Sequence, residues 1–145
     1  MSPDDRLLVG VDLVKDQAVL EAAYDDSAGV TAEFNLNLLT RINREMDADF
    51  DPALWEHRAI FNPEASRMEM WLMSRANQFV TFPHQGLYFA FNKGEGIHTE
   101  NSHKYTAESF ARLCDAADTS IEQTWTDSRN WFASFLLRPE SGGVK

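Results

Sequence analysis

The sequence predicts an α/β protein, because segments typical of strands and segments typical of helices alternate along the chain. Residues 6–14 form a nearly continuous apolar run, of the kind found in a strand buried in a parallel sheet. Between Val30 and Met46 apolar residues recur every four positions, as on one face of a helix. After His57 the pattern changes to the two-residue alternation of strands. A chain of 145 residues is suited to one hydrophobic core.

Three helices are predicted from periodicity and from residues that favour helix ends, and Asp51 and Pro52 indicate the start of a further short helix. Residues 17–24 are compatible with a short helix, and residues 30–46 with a longer one. The apolar stripe of the longer helix has Leu39 beside it and consists of Val30, Phe34, Leu38, Ile42 and Met46. Thr106 can cap the exposed amides of a third helix, which is expected over about residues 106–117.

The remaining segments are predicted to be strands. They lie at about residues 57–62, 67–75, 77–82, 87–91, 96–102, 121–126 and 131–137. The last two are joined by polar residues 127–130, which suit an antiparallel hairpin beside residues 6–14. Residues 139–145 are expected to form a tail.

Composition and charge disfavour several classes of function. Against 13 basic side chains stand 23 acidic ones, and the formal net charge of −10 repels phosphate backbones and anionic lipids. Nucleic acids and membrane surfaces are therefore not expected as partners. Cys114 is the single cysteine, so no intrachain disulfide can form, and a cytoplasmic location is expected. The acidic N-terminal segment indicates neither a secretory leader nor a membrane span.

The densest polar cluster lies at residues 97–105. Successive side chains of an extended segment point to opposite faces, so Glu100 and Ser102 share one face. A carboxylate that accepts one N–H and a hydroxyl that serves a second nitrogen can together hold an imidazole ring. The alternative is a solvated strand edge that caps the helix after Tyr105, and composition alone favours this alternative.

Other candidate sites are weaker. His98 and His103 could bind a metal with Glu100, but their spacing matches no zinc motif, and no metal is expected. Tyr24 could donate its hydroxyl to an anionic group while its ring packs. Met70 is most simply a core residue, although methionine on a pocket wall also offers a flexible surface for a ring.

Several common catalytic features are missing from the sequence. Glycine occurs seven times, and no helical pattern follows residues 94–96, so neither a dinucleotide loop nor a P-loop is predicted. Cys114 lies in an apolar helical stripe, where a nucleophilic role is not expected. His57 and His84 are expected to be surface or strand-end histidines rather than bases.

Four segments, LLVGVDLVKD, AAYDDSAGVTAEFN, RMEMWL and HTENSHKY, follow one another along the chain. Together they resemble the C-terminal part of the histidine-specific, S-adenosylmethionine-dependent N-alpha-methyltransferase family, whose members trimethylate the amino group of histidine in the ergothioneine pathway. The resemblance covers about residues 5–137. It implies the late part of a Rossmann-like methyltransferase sheet, at residues 1–16 and 106–138, and an inserted α+β substrate-recognition domain at about residues 17–105.

The resemblance also implies roles for five residues. Tyr24 would contact the substrate carboxylate, while Glu100 and Ser102 would hold the imidazole. Phe34 and Met70 would line the pocket. No catalytic, metal-binding or donor-binding residue is implied within this chain.

The family's glycine-rich donor loop and an asparagine-bearing substrate segment have no counterpart in this sequence. We therefore expect the chain to bind histidine but not S-adenosylmethionine, and to transfer no methyl group alone, because the rate depends on positioning both ligands. A separate chain carrying the donor-binding half would restore activity. The alternative is a non-catalytic amino-acid-binding or interaction domain derived from such an enzyme. Within the enzyme class, another amino acid or amine could replace histidine.

Overall fold

A computed structural model describes residues 2–140, which contain three α-helices and eight β-strands. In chain order these are β1 (Leu7–Asp12), α1 (Gln17–Tyr24), α2 (Val30–Met46), β2 (Trp55–Asn62), β3 (Arg67–Ser74), β4 (Gln78–Phe82), β5 (Leu87–Phe91), β6 (Gly96–His103), α3 (Ala107–Ala116), β7 (Thr119–Thr126) and β8 (Phe132–Pro139). The predicted mixed α/β class is confirmed. No helix in this range is both long enough and apolar enough to span a membrane. Of the predicted tail, residues 141–145 lie outside the described residues.

The described chain divides into two compact units. Residues 2–16 and 103–140 form the first unit, and Gln17–Ser102 form the second. In the first unit the strands are ordered β1-β8-β7, and both pairs are antiparallel. The predicted β7–β8 hairpin is confirmed, and the Asp127 carboxylate closes it by accepting hydrogen bonds from the backbone N–H groups of Arg129, Trp131 and Phe132.

Helix α3 supplies the core of the first unit. The Thr106 hydroxyl accepts from the Ser109 N–H, and the Ser109 side chain bonds back to the Thr106 N–H, so the predicted helix start is confirmed. The apolar side of α3 then packs on the sheet. The buried residues of this core are Val11, Phe110, Cys114, Ala133, Phe135 and Leu137.

The surroundings of β1 differ from the prediction of a buried strand in a parallel sheet. β1 pairs antiparallel with β8, with Leu8 opposite Leu136. Leu8 is 65% exposed, whereas Val11 is buried against α3. Within residues 2–140 no strand pairs with the second edge of β1. An apolar run predicts a strand but does not specify its neighbours, which depend on how the later hairpin returns.

The second unit contains a three-stranded sheet in the order β2-β3-β6 and a separate β4–β5 hairpin. β2 and β3 pair antiparallel, with Ala59 opposite Met70. Both α1 and α2 pack against these two strands. Met68, Met70 and Leu72 are buried, as their two-residue alternation predicts. A second cluster beneath α2 contains Leu39, Phe50, Trp55, Leu72, Val80 and Phe82.

Helix α2 has the predicted limits, but its apolar stripe is not its buried face. Phe34 is 71% exposed, and Val30 and Met46 are also exposed. The buried residues of the helix are Asn35 and Leu39, four positions apart. Both residues face β2 and β3. Leu39 packs in the core, and Asn35 forms hydrogen bonds with His57 on β2 and Trp71 on β3.

Asp12, the last residue of β1, is hydrogen-bonded to two lysines. Its carboxylate lies 3.0 Å from Nζ of Lys104 and 2.5 Å from Nζ of Lys15. The Lys104 side chain is fully buried. Burial raises the pKa of Asp12, but the hydrogen bonds from Lys15 and Lys104 outweigh this effect, and the pKa lies below its usual value. The carboxylate thus provides the counter-charge that a buried ammonium requires.

We expect Asp12→Asn to lower the free energy of unfolding at pH 7 by about 1–3 kcal/mol, because Lys104 loses this counter-charge. Since the pKa of Asp12 is lower in the folded state, its stabilisation is present above the unfolded-state pKa of about 4. It is lost as the pH falls through the folded-state pKa. Urea unfolding of both chains at pH 7 and at descending pH tests this.

The matched control is Glu45→Gln. In the described chain this exposed carboxylate forms ion pairs with Arg41 and Arg44, which are also exposed. Its loss should lower the free energy of unfolding less than Asp12→Asn does, because water screens an exposed ion pair. An unfolding midpoint that is the same for Asp12→Asn and the parent chain at pH 7 would contradict the prediction.

Candidate functional site

A cavity of about 220 Å³ lies in the second unit, between its two helices and its sheet. The residues that line it are Ala23, Tyr24, Thr31, Phe34, Asn35, Met70 and Glu100. Four of the five residues predicted for the site, namely Tyr24, Phe34, Met70 and Glu100, therefore lie around one cavity.

Regular secondary structure positions these side chains. Tyr24 is the last residue of α1, and Phe34 follows about one turn into α2. The Asp26 carboxylate holds the start of α2 by accepting hydrogen bonds from the backbone N–H groups of Val30 and Thr31. Burial raises the pKa of Asp26, but hydrogen bonds from Val30, Thr31 and Gly29 together outweigh this effect, and the pKa lies below its usual value. Thr31 is thereby fixed at the cavity wall.

Ser102, the fifth predicted residue, is joined to the cavity through Tyr24. The two hydroxyl oxygens lie 2.7 Å apart and connect residues separated by 78 positions. Glu100 and Ser102 are two residues apart on β6, so their side chains point to the same face. The hydroxyl pair and the Glu100 carboxylate therefore lie on one side of the site.

The chemistry of the walls defines the kind of ligand that fits. The Glu100 side chain is exposed, so a ligand can reach its carboxylate. The ring of Phe34 and the thioether of Met70 supply apolar surface. A small molecule with a flat ring, N–H donors and an anionic group near the hydroxyl pair would satisfy these walls.

A second cavity of about 260 Å³ continues along α2. It shares Phe34, Asn35 and Glu100 with the first, and its other lining residues are Asn37, Leu38, Arg41 and Thr99. The Thr99 hydroxyl donates to the Met70 carbonyl at 3.0 Å, which ties β6 to β3 between the cavities. The two cavities thus form one cleft, with Glu100 and Asn35 at their junction.

Sequence reasoning missed Asn35 and misjudged His57. Asn35 is only 6% exposed, yet it lines both cavities. His57 was expected at the surface or a strand end, but it is 8% exposed and bonded at both ring nitrogens. The spacing of Asn35 and Leu39 could have indicated a buried polar residue in α2. This indication was missed because the apolar residues that recur every four positions lie on another face of the helix.

Other polar residues singled out in the sequence lie elsewhere. The His98 ring stacks on Trp71, with centroids 4.4 Å apart. In the part of the chain that the structure describes, no three metal-binding side chains lie close enough to hold a metal ion. Cys114 belongs to the core of the first unit, and burial raises the pKa of its thiol.

Comparison with known proteins identifies the family. The model of the family described as "Histidine-specific methyltransferase, SAM-dependent" matches residues 1–139. The chain belongs to this family. The resemblance seen in the sequence motifs is thereby confirmed, and the mixed α/β fold is that of a family member.

Three curated relatives that match the chain are longer than it. Histidine N-alpha-methyltransferase of Mycolicibacterium smegmatis is 45% identical over 138 residues, which are 94% of this chain and 42% of that protein. The Mycobacterium tuberculosis protein of the same name is 43% identical over 136 residues, with the same coverage. L-tryptophan methyltransferase trpM of Psilocybe serbica is 27% identical over 143 residues, which are 97% of this chain and 39% of that protein. The chain spans about two fifths of the length of these curated relatives.

Tyr24→Phe and Ser102→Ala each remove one hydroxyl of the pair. We expect a double-mutant cycle, measured by urea unfolding, to give a coupling free energy of about 0.5–1.5 kcal/mol. Tyr24→Phe combined with Ser120→Ala is the control, because the Ser120 hydroxyl bonds to Arg138 in the first unit, and these two changes should be additive. Coupling between Tyr24 and Ser102 below about 0.3 kcal/mol would contradict their hydrogen bond.

Proposed function

We propose that this chain is the histidine-recognising portion of an S-adenosylmethionine-dependent methyltransferase that acts on the α-amino group of histidine. The cavity carries the proposal, because a carboxylate, a hydroxyl pair and two apolar side chains converge within one compact unit. Membership of the histidine-specific family and the 45% identity to a Histidine N-alpha-methyltransferase support it.

In this proposal Glu100 and Ser102 hold the imidazole ring. The Glu100 carboxylate accepts one ring N–H in a charge-assisted hydrogen bond, which is stronger than a neutral one. The Ser102 hydroxyl can donate to or accept from the other ring nitrogen. Phe34 and Met70 pack against the ring.

Tyr24 is proposed to contact the substrate carboxylate. Its hydroxyl lies 2.7 Å from that of Ser102, so the carboxylate contact and the ring contact would be adjacent. Holding both ends of the amino acid restricts the direction of its amino group. That restriction contributes to rate, since the amine must meet the methyl group in line.

S-adenosylmethionine would supply an electrophilic methyl group to the amine, but the residues present do not fit this donor. Neither connection from a strand to a helix in the described chain, residues 13–16 or 104–106, contains glycine. A glycine-rich turn is what lets a nucleotide-like ligand approach the backbone at such a position. We therefore propose that another portion of the enzyme, on the same or a separate polypeptide, holds the donor.

We further propose that β1, α3, β7 and β8 form the end of a Rossmann-like sheet into which residues 17–105 are inserted. The limits of the unit Gln17–Ser102, which begins after β1 and ends before α3, support this proposal. The edge of β1 that pairs with no strand in residues 2–140 could receive a parallel neighbour. Since Cys114 is the single cysteine, we place the enzyme in the cytoplasm.

Calorimetric titration of the purified chain tests the proposed site. L-Histidine should give saturable heat and S-adenosylmethionine none. Glu100→Ala should weaken L-histidine binding by about 5- to 150-fold, equivalent to about 1–3 kcal/mol for a charge-assisted hydrogen bond. Glu56→Ala is the matched control, because Glu56 is exposed and lines neither cavity of the cleft.

Three outcomes would count against this assignment. Saturable binding of S-adenosylmethionine would overturn the placement of the donor site outside this chain. Absence of any L-histidine binding would contradict a substrate site that functions in this chain. Equal affinity of the Glu100→Ala variant and the parent chain would remove Glu100 from the site.

A non-catalytic amino-acid-binding domain is the second candidate. This candidate is favoured because every residue that lines the cavity belongs to Gln17–Ser102, a unit that contains neither β1 nor α3. Adding the N-terminal portion of a Histidine N-alpha-methyltransferase distinguishes the candidates: the enzyme portion should regain methylation of L-histidine, and Glu100→Ala should reduce it. A binding domain should bind L-histidine and remain inactive in the mixture.

A further inference from the structure

A chain of buried and partly buried hydrogen bonds joins residues that line the cavity. The Asn35 side-chain nitrogen, Nδ2, lies 2.9 Å from Nδ1 of His57 and 3.2 Å from the backbone oxygen of Trp71. The other ring nitrogen of His57, Nε2, lies 2.8 Å from the backbone oxygen of Tyr24. One imidazole thus connects α2 to the end of α1.

The direction of each hydrogen bond follows from the groups at its ends. A backbone carbonyl can only accept, so Nε2 of His57 donates to Tyr24. In that neutral tautomer Nδ1 is an acceptor, and the Asn35 NH₂ group donates to it and to the Trp71 carbonyl. Turning the amide over would set its oxygen against the Trp71 oxygen, with no proton between them. The amide of Asn35 therefore has one favoured orientation.

This orientation leaves the amide oxygen of Asn35 available. Within residues 2–140 no donor bonds to that oxygen, and it is not among the side-chain atoms sealed from solvent. Asn35 lines both cavities although its side chain is more than nine-tenths buried. Asn35 thus offers a rigid acceptor, and like Glu100 it is a residue that lines both cavities.

We propose that Asn35 is a specificity-determining residue whose amide oxygen accepts a hydrogen bond from an N–H group of the bound amino acid. His57 is a positioning residue that fixes the amide and the Tyr24 backbone. This inference rests on the proposed histidine site. A ligand that covers this oxygen without offering an N–H would shield the acceptor from water and leave it unpaired, which costs more than leaving it exposed.

The test compares ligands as well as variants. L-Histidine, its two ring-N-methylated isomers and imidazolepropionate, which lacks the amino group, are titrated into the parent chain and into Asn35→Leu. Asn35→Leu should weaken L-histidine binding by roughly 10- to 100-fold. One of the three analogues lacks the N–H that donates to Asn35. That analogue should bind the variant and the parent chain with nearly equal affinity. That analogue identifies whether the ring or the amino group supplies the N–H.

Two control variants separate this role from a loss of structure. Asn43→Leu removes a side chain of the same helix that bonds to both backbone groups of Phe50, and it should leave the ligand ratios unchanged even if it destabilises the chain. His57→Gln, which retains one donor and one acceptor, should bind L-histidine within about threefold of the parent, whereas His57→Phe should lose about tenfold. His84→Phe, at an exposed histidine, should have no effect.

An equal loss for L-histidine and all three analogues in Asn35→Leu would show a merely structural role and overturn the inference. So would unchanged binding of L-histidine. A parent chain that binds none of the ligands would overturn the proposed function itself, and this inference with it. Nitrogen NMR of His57 gives an independent check in the ligand-free chain, since a proton on Nδ1 rather than Nε2 would also overturn the inference.

Discussion

The candidate site depends on the two hydrogen bonds of the His57 imidazole. The imidazole lies on β2, receives a hydrogen bond from Asn35 on α2 and donates one to the last residue of α1. Because a buried polar group is costly unless it is bonded, these contacts restrict how both helices lie over the sheet. Tyr24 and Phe34 are carried by those helices, so the width of the cavity follows from this small network.

The limits of most helices and strands could be predicted because they depend on neighbouring residues. Thr106 and Ser109 form reciprocal hydrogen bonds three positions apart, and the alternation of Met68 and Met70 shows which side of β3 is buried. The partners of β1 could not be predicted in the same way. Its apolar run is compatible with parallel or antiparallel neighbours, and only the later β7–β8 hairpin determines which one pairs with it in the described chain.

The candidate site shows a similar division. Two-residue alternation placed Glu100 and Ser102 on one face, and the family resemblance added Tyr24, Phe34 and Met70, although the binding roles of all five stay predictions. Asn35 and His57 were not found, because one polar residue in a helix and one histidine in a strand look like solvent-exposed positions. Their pairing across 22 positions exists only once α2 lies on β2.

All side chains around the cavity belong to one uninterrupted stretch of sequence, Gln17–Ser102, while the β1-β8-β7 sheet is built from residues on either side of it. Substitutions that alter ligand contacts therefore fall outside the core of that sheet. Under the proposed function, preference for one amino acid over another can change during evolution without lowering the stability of the sheet. The same arrangement would let an engineer exchange the stretch as a cassette between relatives.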